Sequence, residues 1–174
     1  RKALAQYTGW GGLSQALDSI KGERMLGDRE WMRDPNWEKQ WGKAYLKLKE
    51  LLTKEEFQKA QDSTENAHYT SKSVIQSLWK IAERLGYKGG RVLELGAGIG
   101  HFAGLMPSNV RGSTKFIMVE LDSVSSRIAK MLYPNHEVFA TDMAEFKSVP
   151  GSVTMGIGNV PFAGSNVEDA NRRY

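Results

Sequence analysis

The chain has 174 residues, 40% hydrophobic and 25% charged, enough to bury one core and a small appendage. It contains no cysteine, which excludes a disulfide frame and a thiolate metal site, and its three histidines lie far apart, so no metal centre is expected. No apolar run approaches the ~20 residues of a membrane span and no signal-peptide core opens the chain, so a cytoplasmic protein is expected; a net charge of +4 among interspersed acids lifts polyanion binding only mildly.

In chain order, residues 1–66 read as a Trp-rich helical segment and residues 67–174 as an α/β domain. "YTGWGGLSQAL" sets three glycines around Trp10, a loop able to bring backbone close to another surface, ahead of a short helix over Ser14 to Ile20. In "DPNWEKQWGKAYLKLKELL", Asp34 is an N-cap with Pro35 at the first helical position, and Trp37, Trp41, Tyr45 and Leu48 form one apolar stripe. That stripe suits core packing better than a base-stacking platform. Thr53 and Glu56 make a capping box for a second helix running through Phe57 toward Ala60. "TSKSVIQSLWKIAERLG" predicts an amphipathic helix with Val74, Ile75, Leu78, Ile81, Ala82 and Leu85 on its apolar side and Gly86 as its stop. Strands follow at "RVLEL", "KFIMVELD", "EVFATD" and "SVTMGIGN", separated by a helical turn at "HFAGLM" and a helix at "SVSSRIAKMLY". This alternation implies right-handed crossovers and a Rossmann-like parallel sheet with helices on both faces.

Ligands of such sheets sit at the carboxyl ends of the strands. The first strand ends in "LELGAGIGHF": Glu94 precedes Gly96, Gly98 and Gly100, whose missing side chains let backbone lie against a ligand, with a plain tight turn as the alternative. His101 stands where a dinucleotide fingerprint requires glycine, and a carboxylate suits a sulfonium or ammonium centre better than a pyrophosphate, so S-adenosylmethionine is favoured over NAD. The second strand ends at Glu120 and Leu121, the place from which an acid accepts ribose hydroxyls; a solvated strand-end acid is the bland alternative. After the third strand, Asp142 can accept from an adenine amino group with Met143 or Phe146 over the ring, or Asp142 can simply cap a turn. Three acids ending three successive strands, with glycines after the first, favour a cofactor site.

Glu94 with "GAGIG", Glu120, Asp142, "GNVPF" and the upstream "AHYTSKSVI" stand in the order of motifs that the chain shares with S-adenosylmethionine-dependent amino methyltransferases. The chain resembles the gamma-order N6-adenine DNA methyltransferases and, through "YTGWGGL", is similar to the methyltransferase-like domain of very large helicase-containing proteins of phages, plasmids and conjugative elements. The resemblance runs from about Tyr7 to Phe162. It implies that Tyr69 and Thr70 approach the methionine end of the cofactor and that Glu94 faces its amino-acid moiety. Gly96 and Gly98 would line its backbone, Glu120 with Leu121 take the ribose, and Asp142 with Met143 take the adenine. Asn159, Val160, Pro161 and Phe162 would hold the target amine of an adenine flipped out of DNA, Phe162 by stacking. Neighbouring domains of a larger chain, such as a helicase, are implied as partners.

Two departures bear on that expectation. Val160 replaces the first proline of N-P-P-[YF]; its carbonyl remains, while the ring's hold on φ, about 0.4–1 kcal/mol, is lost. The family fold has further strands, whereas this chain reaches the fourth and stops at Tyr174, as expected of a piece truncated after that strand. A non-catalytic module that binds cofactor or DNA, and a methyltransferase acting on protein glutamine, therefore stand as alternatives.

Overall fold

The computed structural model describes residues 4–7, 9–18, 35–64 and 70–160. Ile20, Asp34, Tyr69, Pro161 and Phe162 lie outside these residues.

The N-terminal segment is helical. Two short 3-10 turns, Leu4–Gln6 and Gly11–Leu13, lead into α1, Ser14–Leu17. That helix is shorter than its sequence suggests, because Asp18 is already extended, with φ −70° and ψ 95°. Helix α2 starts at Pro35, as the fixed φ of proline favours, and passes through a π-helical stretch, Glu38–Gly42, before continuing as Lys43–Leu51. Trp37 and Tyr45 are buried, and Trp41 and Leu48 pack against the same cluster. Helix α3, Lys54–Thr64, opens with the expected reciprocal cap. The Glu56 amide donates to Thr53 Oγ1 at 3.1 Å, and the Thr53 amide donates to Glu56 Oε2 at 3.0 Å. Tyr45 meets Trp37 of the same helix and Phe57 of α3 edge-to-face, both with centroids 6.0 Å apart, and the second contact holds α2 against α3.

Helix α4, Lys72–Arg84, is capped by Ser71, whose Oγ accepts from the Val74 amide at 3.4 Å. Its buried face differs from the sequence reading. Ile75, Trp79 and Ala82 point inward, while Val74, Ile81 and Leu85 are exposed. The indole decides the face: Trp79 meets Phe116 edge-to-face at 6.1 Å and donates Nε1–H to the Phe102 carbonyl at 3.0 Å, a hydrogen bond a buried indole requires.

Strands β1 (Gly90–Leu95), β2 (Thr114–Glu120), β3 (Glu137–Ala140) and β4 (Met155–Gly156) form one parallel sheet in the order β3-β2-β1-β4. Two short helices, α5 (His101–Gly104) and α6 (Ser108–Arg111), connect β1 to β2, where the sequence suggested a single turn; α7 (Ser123–Leu132) connects β2 to β3. This is a Rossmann-like α/β fold, represented among the described residues by four parallel strands.

Register places Val92, Phe116, Val138 and Met155 on one face, and α4 to α7 send Trp79, Phe102, Val110 and Ala129 into the core on that same face. Both crossovers step in one direction, so right-handedness sends their helices to the same side. The opposite face carries Leu93, Leu95, Ile117, Val119 and Phe139. Helices on both faces were expected, but among the described residues the β3–β4 connection holds only turns, with Phe146 against Phe139 at 5.2 Å.

The N-terminal segment docks on the outer side of α7. Val124 packs into its aromatic cluster and Arg127 pairs with Glu56 at 3.1 Å.

Candidate functional site

The parallel sheet brings the carboxyl ends of β1, β2 and β4 side by side, and the glycine loop lies over them. Gly96, Gly98 and Gly100 all have positive φ, at 66°, 55° and 83°. For Gly100 no other residue fits. A Cβ there would come within 2.8 Å of Tyr133 Cε2 and 3.1 Å of Met118 Sδ, in a backbone region that L-residues rarely adopt. The Ala97 amide donates to the Val119 carbonyl at 3.1 Å and ties the loop to β2.

Glu94 and Glu120 occupy different environments. Glu94, on the core face beside Met118, is 2% exposed, and its Oε2 has no hydrogen-bond partner among the described residues. Burial, and secondly the charge of Glu120, push its carboxyl well above the usual range. Glu120 is partly buried and well bonded: Oε2 accepts from the Gly98 amide at 2.7 Å and Oε1 from the Asp122 amide at 2.8 Å. Burial raises its pKa, and those two amides work against the rise. One carboxylate thus ties the glycine loop to the end of β2. An ionised Glu94 finds no compensating charge or donor at Oε2 among the described residues, so this carboxyl holds its proton to a higher pH than a free one.

Leu121, between Glu120 and Asp122, is 47% exposed. Beyond β3, Asp142 is exposed and caps a turn, its Oδ1 accepting from the Ala144 amide at 2.8 Å and its carbonyl from the Glu145 and Phe146 amides at 3.1 Å. Met143 beside it is 37% exposed. Since Ala140 pairs with Glu120, both residues lie at the same end of the sheet as the glycine loop.

The segment after β4 runs along the end of β1. The Ile157 amide donates to the Leu93 carbonyl at 3.0 Å, and a Cβ on Gly158 would lie 3.5 Å from the Leu95 carbonyl oxygen and 3.6 Å from Glu94 Cγ. Asn159, half-buried, and Val160, exposed, therefore leave the sheet beside Glu94. Thr70, half-buried, sits just before the cap of α4. His101, at the start of α5, has its pKa lowered by burial. Among the described residues no group of three or more His, Asp or Glu is placed to hold a metal, and no helix is long and apolar enough to cross a membrane.

Sequence reasoning left two residues of this region without a role. Trp10, 6% exposed, donates Nε1–H to Asp122 Oδ2 at 3.1 Å, across 112 positions of sequence. Asp122 is also buried and caps α7 through the Val124 and Ser125 amides. The cap was readable from Asp122 preceding "SVSSR"; the indole contact had no local signal.

No protein-family profile matches the chain. It is similar to the Defense against restriction protein B of Escherichia phage P1, with 32% identity over 110 residues, and the match covers 62% of this chain and 5% of that protein. Among solved structures it is similar to a "putative RNA methyltransferase" of Pyrococcus horikoshii, with 27% identity and a TM-score of 0.45, over 55% of this chain and 49% of the other.

Proposed function

We propose that this chain is an S-adenosylmethionine-dependent methyltransferase domain acting on the N6 amino group of adenine in DNA. The observation that carries the reading is the meeting of a buried carboxylate with an orphaned oxygen, Glu94, a positive-φ glycine loop and Glu120 at adjacent strand ends, with Asn159 leaving β4 beside them. These residues fit the cofactor. Glu94 would meet the ammonium of its methionine part, and Gly96 and Gly98 admit its chain against the backbone. Glu120 and Leu121 would hold the ribose, Asp142 and Met143 the adenine, with Tyr69 and Thr70 at the methionine end.

The bound cofactor supplies an electrophilic methyl group on sulfur. The chain's task is then to make a weakly nucleophilic aromatic amine react. The Asn159 side-chain oxygen and the Val160 carbonyl would accept its two N–H bonds and draw its lone pair out of the ring, with Pro161 fixing the turn and Phe162 stacking on the base. Stacking of this kind contributes roughly 1–3 kcal/mol per base.

A second reading keeps the fold and the cofactor but not the turnover: a module within a large mobile-element protein, beside domains such as a helicase. The match spans 5% of the phage relative's length, as a module within a large protein would.

Calorimetric titration tests the cofactor site. S-adenosylmethionine should bind the wild-type chain, and Glu120→Ala should weaken binding by about a hundredfold, because it removes the ribose acceptor and frees two backbone amides at once. No heat with the wild type, or equal affinity in the variant, would remove the proposal.

A further inference from the structure

The residues that hold Glu120 are themselves held from the N-terminal segment. Trp10 lies in the "GWGG" turn, with Tyr7 edge-on to its indole at 5.7 Å. Its Nε1–H reaches Asp122 Oδ2, which also accepts from Ser125 Oγ at 2.6 Å and from the Ser125 amide at 3.0 Å. The amide of Asp122 in turn donates to Glu120 Oε1, and Glu120 Oε2 takes the Gly98 amide. A path of hydrogen bonds, joined covalently between the side chain and the amide of Asp122, therefore runs from the N-terminal glycine turn, through two carboxylates, to the glycine loop after β1. Every link on it is buried or partly buried, where such bonds are least exchangeable with water.

We infer that Trp10 is a positioning residue for the ribose subsite: by fixing Asp122 it orients the Leu121–Asp122 peptide that sets the Glu120 carboxylate against Gly98. For its cofactor arm, this inference rests on the function proposed above. Docking of the N-terminal segment on α7 and occupancy of the site are then linked, each strengthening the other by the same factor. Gly9 acquires a purpose, since its φ of 76°, which L-residues rarely adopt, lets the turn present the indole edge toward α7.

The test is amide hydrogen exchange on the cofactor-free chain, with Trp10→Phe, which keeps an aromatic ring and deletes the donor. Exchange at Gly98 and Asp122 should quicken on the order of tenfold, while Phe116 and Met118 in the sheet stay unchanged. Asp122→Ala removes the acceptor itself together with the α7 cap; it should quicken the same amides at least as much, and adding Trp10→Phe to it should go no further. Trp37→Phe removes the indole bond to the Gln15 carbonyl within the same aromatic cluster and should leave Gly98 and Asp122 as they are. Unchanged exchange in Trp10→Phe, or an equal rise in Trp37→Phe, overturns the inference. In parallel titrations, Trp10→Phe should weaken S-adenosylmethionine binding on the order of fivefold. Wild-type chain that takes no cofactor while the exchange effect stands would contradict the proposed function and support the positioning role.

Discussion

Replacing Glu94 with glutamine is expected to flatten the pH dependence of stability and to weaken S-adenosylmethionine binding by about thirtyfold to a hundredfold. Both effects follow from one buried carboxyl. Its pKa is raised by burial and by Glu120, so the folded chain keeps a proton that the unfolded chain releases. Stability from this source is full below the unfolded value of about 4.5 and is lost as pH climbs through the folded one. Glutamine does not titrate, so the melting temperature of Glu94→Gln should gain on the wild type as pH rises. With cofactor the sign reverses: the ammonium offsets the Glu94 carboxylate, and glutamine offers it no charge. Binding to the wild type should release a proton, visible as a buffer-dependent heat. Thermal melts across pH combined with titrations check both halves; parallel melting curves, or equal affinities, would exclude this role for Glu94.

Asn159→Ala should reduce methyl transfer to adenine by at least about a hundredfold while leaving cofactor affinity within about twofold of wild type. Asn159 follows Gly158, which lies against Leu95 and Glu94, so it leaves the sheet next to the glycine loop without belonging to it. Loss of its amide oxygen removes one of two acceptors that would hold the amine, an interaction that matters most as the nitrogen becomes pyramidal. The assay is incorporation of labelled methyl into adenine of DNA by the full-length protein. Wild-type incorporation that persists in Asn159→Ala would move the amine clamp elsewhere; no incorporation by the wild type would favour the non-catalytic module.

Much of the framework was legible because it is local or topological. The Thr53–Glu56 cap needs only three residues of spacing, and the parallel direction of the four strands follows from alternating apolar runs and crossover handedness. That common direction places Glu94 and Glu120 at one end of the sheet. What depends on tertiary packing was not legible. The apolar period of α4 offered several faces, and the bulk of Trp79 with its bond to Phe102 chose the one that leaves Val74, Ile81 and Leu85 in water. The different environments of the two glutamates also had no sequence signal, since nothing local says that Glu120 collects two backbone amides while, among the described residues, Glu94 collects none at Oε2. The Trp10–Asp122 bond joins residues 112 apart, and an indole donor carries no periodicity.

In the proposed site a sulfonium nucleoside lies across the ends of β1 and β2 against the glycine loop. Amide NMR spectra recorded during titration with S-adenosylhomocysteine, the cofactor without its methyl, test it most directly. Saturable shifts should concentrate at Gly96, Gly98, Leu121 and Asp122, with smaller ones at Met143 and Asn159. A spectrum that stays unchanged at millimolar ligand, or shifts gathered around α2 and α3 instead, would contradict it.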